Sequence, residues 1–278
     1  LEILRHPTAR DLLARAERWL LLSEAENNLV LGVARRFLDE PASENPPCYW
    51  ASVVHDGEVM GCALRTPPYR LSLTRLPSTA IAILVENVRE VYQHLPGVVG
   101  PIEVATQFAE AWSRLAGATW GVRTRLRIHT LTNVTVPEDS PNGELRRPSD
   151  AEFDLIRQWA AAFVNDTGIS DDPSAVANRL QASPKLYVWD DYGPRCMVAA
   201  ARETPHGACV IAVYTPPIYR ERGYASAAVA ALSRKFLAEG KTFCCLYADT
   251  ANPTSNSIYQ KIGFKPGRED VDIDFSTQ

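Results

Sequence analysis

Two arginines, a glycine and two small residues stand together in Arg220-Glu221-Arg222-Gly223-Tyr224-Ala225-Ser226. If a helix opens here, the unpaired backbone N–H groups of its first turn converge on one point and attract an anion. Gly223 and Ala225 leave the backbone bare enough for a bulky pyrophosphate to approach, and Arg220 and Arg222 add positive charge. A second run, Asn252 to Phe264, places Ser255, Tyr259 and Ile262 near one helix face at spacings of four and three. Tyr259 is a phenol, protonated at neutral pH and able to donate.

The elements that must position these residues can be read around them. Cys209-Val210-Ile211-Ala212-Val213-Tyr214-Thr215 is apolar throughout, as in a central strand covered on both faces. Pro216 and Pro217 end it, since neither donates a ladder hydrogen bond. The pattern predicts a helix from Tyr224 to Glu239, cored by Ala228, Val229, Leu232 and Phe236 and closed by Gly240. A strand over Thr242 to Tyr247 should follow, then a helix capped by Asn252, with Pro253 in its first turn and Gly263 at its end. Val271, Ile273 and Phe275 alternate with Asp270, Asp272 and Asp274, which predicts a half-exposed closing strand.

The polar, turn-rich run Pro137 to Gly143 reads as a linker, giving domains over 1–136 and 144–278. Each half starts alike. Thr8 and Ser149 are natural N-caps with an acid three residues on. Leu12, Leu13, Ala16, Trp19 and Leu20 share one helix face, as do Phe153, Ile156, Ala160 and Phe163. Tyr49 to Val54 and Glu58 to Leu64 flank the hairpin signal His55-Asp56-Gly57, and Leu71 to Leu76 suits a third strand. The second half offers strands over Leu186 to Trp189, Arg195 to Ala201 and Ala208 to Thr215. The order helix, helix, three strands, helix thus occurs twice, as expected of a diverged tandem duplication. In the first half, Leu76-Pro77-Ser78-Thr79 runs straight into an apolar helix from Ala80 to Tyr92, with neither glycine nor basic residue, so no pyrophosphate site is expected there. Trp112, Trp120, Tyr69 and Tyr92 read as packing residues of that half.

The 278 residues are 46% hydrophobic and 22% charged, enough for a full core, and the net charge of -4 gives no reason to expect nucleic acid or an anionic membrane. No apolar run approaches the ~20 residues of a membrane helix. Cys48, Cys62, Cys196, Cys209, Cys244 and Cys245 form no C-x-x-C pair, and His6, His55, His94, His129 and His206 are scattered. Buried reduced thiols in a cytoplasmic protein, and no metal site, are expected.

The second half resembles the GCN5-related N-acetyltransferase (GNAT) superfamily. The family's [RQ]-x-x-G-x-[GA] pattern matches Arg220 to Ala225, and its N-x-x-[SA]-x-x-x-Y-x-x-x-G-F segment matches Asn252 to Phe264. The match is specific over Val210 to Phe264 and looser over Glu144 to Phe275. The first half resembles a degenerate GNAT domain in element order. The resemblance implies an α/β fold of two tandem domains, each a mixed, mostly antiparallel sheet flanked by helices. It also implies acetyl-CoA as co-substrate and acetyl transfer to a primary amine, on a small molecule or a peptide, by direct attack in a ternary complex. The pyrophosphate would sit on the N–H groups of Arg222 to Ser226. The pantetheine would pair with the edge of Val213, Tyr214 and Thr215, and a bulge would splay that strand from the next. Asn252 and Ser255 would contact the cofactor, and Tyr259 aligns with the general acid.

No base stands out; Glu203 and Asp166 are candidates. The acceptor groove would be walled by Phe163 to Leu180, including Asp171 and Asp172. Two other readings stay open: a non-catalytic acyl-CoA-binding sensor, which would not need Tyr259, and a longer-acyl transferase on the same plan.

Overall fold

The computed structural model describes residues 1–38, 47–136, 139–168 and 172–277. Pro137 and Glu138 of the expected linker and Asp171 of the expected groove lie outside the described residues. The chain divides into two compact units. The first is Leu1–Ile128, Ala248–Asn252 and Gly267–Gln278; the second is His129–Tyr247 and Pro253–Pro266.

The first unit begins with β1 (Glu2–Arg5), α1 (Ala9–Leu21), α2 (Asn28–Arg36), β2 (Tyr49–His55), β3 (Glu58–Arg65), β4 (Leu71–Leu73) and α3 (Ile81–Val91). It continues with β5 (Gly97–Pro101), α4 (Ile102–Ala116) and β6 (Ala118–Leu131), whose last residues reach the second unit. The reasons these form are local. Thr8 accepts from the Asp11 amide while the Asp11 carboxylate accepts from Thr8, a complete capping box on α1. Leu12, Leu13, Ala16 and Leu20 are buried along α1, and Trp50, Cys62 and Leu64 meet them from the sheet. The third strand stops at Leu73, three residues short of the expected Leu76. Trp112 and Tyr92 are buried in the main core of this unit, Trp120 packs against it, and Tyr69 is exposed.

The second unit holds β7 (Glu144–Arg146), α5 (Phe153–Thr167), α6 (Pro173–Ala182), β8 (Leu186–Asp190), β9 (Pro194–Ala201), β10 (Gly207–Tyr214) and α7 (Tyr224–Ala238). Next come β11 (Phe243–Asp249) and α8 (Pro253–Ile262). Its strands are ordered β11-β10-β9-β8-β7, antiparallel except for the parallel β10–β11 pair. α5 turns Ile156, Trp159, Ala160 and Val164 inward, so its buried stripe is rotated from the expected one: Phe153 and Phe163 are half-buried. Val176, Ala177 and Leu180 of α6 join them over Leu186, Val188, Met197 and Ala199. Burying each large side chain contributes roughly 1.5–3 kcal/mol. The described part of the linker is not slack: Trp189 Nε1 donates to the Asn142 carbonyl at 3.1 Å.

The last strand, β12 (Lys265–Thr277), belongs mostly to the first unit, whose strand order is β1-β2-β3-β4-β5-β12-β6. Asp270 to Asp274 pair antiparallel with Pro101 to Gly97. The strand is therefore paired on both edges, while its faces alternate as expected: Val271 and Ile273 are buried and the Asp274 side chain is half exposed. Its acids are taken by arginines: Asp270, nearly fully buried, by Arg268 at 2.7 Å; Asp272 by Arg70 at 2.7 Å; and Asp274 by Arg70 as well. Unpaired carboxylates in such a place would carry a heavy desolvation cost.

Candidate functional site

The site is built where β10 ends. β10 pairs with β9 in regular register through Ile211, and Tyr214 then stands opposite Met197, so β10 carries one residue more than its partner over this interval. The extra residue is absorbed by a bulge, with Ala212 in the left-handed region at φ +51°. On the other side, β10 pairs with β11 over Gly207–Cys209 against Phe243–Cys245, and the pairing stops at Cys209 and Cys245. The stretch from Ile211 to Thr215 therefore keeps an edge unpaired with β11 among the described residues. Val213 and Thr215 are half-buried, and Tyr214 is buried against Trp159, with ring centroids 6.4 Å apart.

Pro216 to Tyr219 turn the chain, and α7 opens directly behind Gly223. Gly223 is the residue before the helix and sits at φ +79°, a conformation that side chains rarely tolerate. A Cβ there would also stand 3.2 Å from Pro141 Cδ, so two separate reasons demand glycine. Tyr224, Ala225 and Ser226 form the first turn, whose amides include those that a helix leaves without intrahelical acceptors. The Tyr224 ring is buried, and its hydroxyl donates to Asp191 Oδ2 at 2.7 Å, which ties the helix start to the β8–β9 turn. Arg222 is exposed beside this turn.

Arg220 points elsewhere. Its Nε donates to the Thr215 carbonyl at 3.0 Å, and its Nη2 pairs with Asp166 Oδ2 at 2.5 Å. Both ends of that ion pair are about half exposed.

Tyr259 lies on α8, half-buried, with its ring edge-on to His129 and to Phe264. Burial, with a smaller contribution from Cys196, pushes its hydroxyl up to about 12. The Cys196 thiol, on β9, donates to the Met197 carbonyl at 3.3 Å. Ser255 is half-buried on the same helix. Asn252 is exposed, immediately precedes α8, and groups with the first unit. Val213 to Thr215, Arg220 to Ser226, Ser255 and Tyr259 all belong to the second unit, in which α7 and α8 pack together.

The two acids considered as bases are both engaged. Glu203 pairs with Lys185 and, at 3.5 Å, with Lys241; Asp166 holds Arg220. Residues that the sequence reading passed over also shape the site: His129 against Tyr259, Asp191 on Tyr224, and Pro141 against Gly223. Each lies more than thirty positions from its partner, and no local pattern marks it. Among the described residues no group of three His, Cys, Asp or Glu could hold a metal, and no helix is long and apolar enough to cross a membrane.

This layout can be compared with known proteins. A family model described as FR47-like protein matches residues 194–271, the span from β9 into β12. The chain is similar to a solved GCN5-related N-acetyltransferase from Sphaerobacter thermophilus, at 15% identity and TM-score 0.63, covering 98% of this chain and 95% of that one. The fold is that of the GNAT superfamily. A GNAT-family acetyltransferase from Colwellia psychrerythraea is aligned over the full length of both chains, at 12% identity and TM-score 0.55. A Drosophila protein of solved structure aligns at 11% identity and TM-score 0.72, over 99% of this chain and 98% of that one. No curated protein matches. The likeness in fold to these solved structures extends over both units.

Proposed function

We propose that the chain is an acetyl-CoA-dependent N-acetyltransferase whose working site lies in the second unit. The observation that carries this reading is the parting of β10 from β11 beyond Cys209 and Cys245, with the Ala212 bulge beside it and a glycine-opened helix immediately downstream. An unpaired strand edge can accept the amides of a pantetheine arm as an added strand. The start of α7 supplies amides to a pyrophosphate, worth about 0.3–2 kcal/mol at a helix N-terminus. Arg222 adds charge, and Ser255 contacts the cofactor. The first half, 1–136, acts as a degenerate companion of the domain over 144–278. The chain from Leu73 to α3 meets no glycine, and Pro77 and Ala80 cap their helical turns without side-chain hydrogen bonds.

In this reading a neutral primary amine, of a metabolite or a peptide in the cytoplasm, attacks the thioester carbonyl. The carbon–nitrogen bond forms, the carbon–sulfur bond breaks, and the amine proton ends on the CoA sulfur. A lysine-like amine of pKa 10.4 is only about 0.04% neutral at pH 7, so its proton must be shed before attack, with water as the acceptor when Glu203 and Asp166 stay paired. Tyr259 faces the departing sulfur as a hydrogen-bond donor. With its hydroxyl near 12 and a thiol near 8.5, complete transfer would be uphill by about 3.5 units, or about 5 kcal/mol. Donation without transfer is the cheaper course.

Calorimetric titration of acetyl-CoA into the wild-type chain and Gly223→Glu tests the reading, followed by an amine screen with thiol-release detection. One site per chain, lost in the variant, with turnover of an amine, is the expected result. Binding without turnover of any amine would favour a sensor, and no binding would remove the reading.

A further inference from the structure

The turn between β8 and β9 and the loop that opens α7 are joined by a closed ring of side chains, all in the second unit. Asp191 Oδ2 accepts from the Tyr224 hydroxyl at 2.7 Å. The Tyr224 and Tyr219 rings meet edge to face, with centroids 6.4 Å apart and planes at 87°. The Arg195 guanidinium lies over the Tyr219 ring, its carbon 4.6 Å from the centroid. Arg195 Nε then donates to the Asp191 carbonyl at 2.9 Å, which closes the ring, and its Nη2 donates to the Tyr192 carbonyl at 3.3 Å. Tyr224 is buried, and Asp191, Arg195 and Tyr219 are half-buried. A cation over an aromatic face and a hydrogen bond to a carboxylate both gain strength when partly withdrawn from water.

The residues between Tyr219 and Tyr224 are Arg220 to Gly223, the segment that leads into the first-turn amides of α7. Glu221 stands at φ +63° and Gly223 at φ +79°. A side-chain-bearing residue visits that region sparsely, so the shape of the segment is held by its surroundings. The ring grips both neighbours of the segment and uses no residue within it. None of its links has to break when a ligand is met there. A loop ordered in advance binds more tightly than one its ligand must order.

We propose that Arg195 and Asp191 are positioning residues for the cofactor's pyrophosphate. Through Tyr219 and Tyr224 they pin both ends of Arg220 to Gly223 and hold the α7 amides in their binding shape before the ligand arrives. This role rests on the acetyl-CoA reading. Cutting the ring lowers the fraction of chains whose loop is ready to bind, and apparent affinity falls by that fraction. Because the links act in series, one cut releases the loop and a second adds little.

The test measures acetyl-CoA affinity by calorimetry in wild type, Arg195→Met, Tyr224→Phe and the double variant. Pantetheine, which has the arm but no phosphate, is followed in parallel by ligand-observed NMR. Each single variant should weaken acetyl-CoA binding roughly 3- to 10-fold and leave pantetheine binding unchanged. The double variant should be within about 2-fold of the weaker single. Tyr219→Leu should match Arg195→Met, and the conservative Tyr219→Phe should recover most of the affinity, since the links use the ring. Single variants that bind acetyl-CoA like wild type, an equal loss toward pantetheine, or losses that multiply in the double variant would each overturn the role. Should Arg195→Met not fold, the Tyr219 pair reads the same link from its other side. Wild type that binds no acetyl-CoA would remove the cofactor reading and this role with it, an outcome distinct from wild-type binding that the variants share.

Discussion

Asp166 and Arg220 meet at 2.5 Å, joining the last turn of α5 to the loop that opens α7. Arg220 is the first residue of the pattern expected to serve an anion, yet its guanidinium is already held by a carboxylate and by the Thr215 carbonyl. A half-exposed pair of this kind is worth about 0–1 kcal/mol. It can therefore be exchanged for a phosphate at small cost.

Removing the competitor should help binding. Asp166→Asn is expected to tighten acetyl-CoA binding by roughly 2- to 5-fold at low salt, with the gain shrinking as salt screens it. Arg220→Ala should weaken binding by a similar factor. Calorimetry at two salt concentrations reads both. If Asp166 were the general base, Asp166→Asn would instead collapse kcat at unchanged affinity.

Tyr259→Phe removes the hydrogen bond offered to the leaving sulfur. A fall in kcat of roughly 10²-fold is expected, with acetyl-CoA affinity unchanged. Because the folded hydroxyl sits near 12, no alkaline limb from Tyr259 should enter the rate profile between pH 8 and 10. Steady-state rates across that range check both points.

The same burial sets an alkaline limit on stability. Tyr92 and Tyr259 are each pushed to about 12, and Tyr49 higher, by burial first. Unfolded phenols ionise near 10, so above that pH the unfolded chain binds fewer protons than the folded one and stability falls as pH rises. Their contribution is whole below pH 10 and drains away from about 10 to 12. Melting temperatures measured between pH 9 and 11.5 should drop more steeply for wild type than for Tyr92→Phe.

The acid side has its own group. Hydrogen bonds from Arg146, helped by the Ser149 amide and opposed by burial, hold the Glu152 carboxyl down to about 2. A lowered carboxylate stabilises the fold above the unfolded value near 4.3 and loses that effect as pH falls toward 2. Glu152→Gln should lower Tm by about 2–4 °C at pH 7 and by much less near pH 2.5. Scanning calorimetry at the two pH values measures the difference.

Gly223→Ala isolates the helix opening from charge. The left-handed φ and the contact with Pro141 should together cost about 1–2 kcal/mol of stability. Acetyl-CoA affinity should fall at least 10-fold, because the first-turn amides shift. Gly240→Ala, also at positive φ but with nothing near its Cβ, is the control: similar backbone strain, unchanged binding.

Elements whose cause is local were legible in the residues. The Thr8 box, the hairpin at Asp56-Gly57, the buried run of β10 and the glycines at 223, 240 and 263 each act within a few positions. The bulge was anticipated only through the family resemblance. Nothing in Val210 to Tyr214 signals that Ala212 adopts φ +51°, since alanine has no preference for that region. Asp166 with Arg220, and Arg202 with Cys209 and Cys245, are brought together by strand order rather than by spacing. Gly97 to Leu131 holds β5, α4 and β6 without a motif to announce them. The alternating acids of β12 resemble a solvent-facing edge until Arg70 and Arg268 arrive from elsewhere in the chain.

The place of β12 between β5 and β6 has a consequence for biosynthesis. A ribosome makes β5 and β6 well before β12, which separates them in the sheet. Until residues 267–277 are in place, the first unit has an open seam at its centre, with the backbone groups of Gly97 to Pro101 waiting for partners. The first unit therefore cannot close before the chain of the second has been made. Chains that stop short of residue 267 would display that seam to chaperones and proteases.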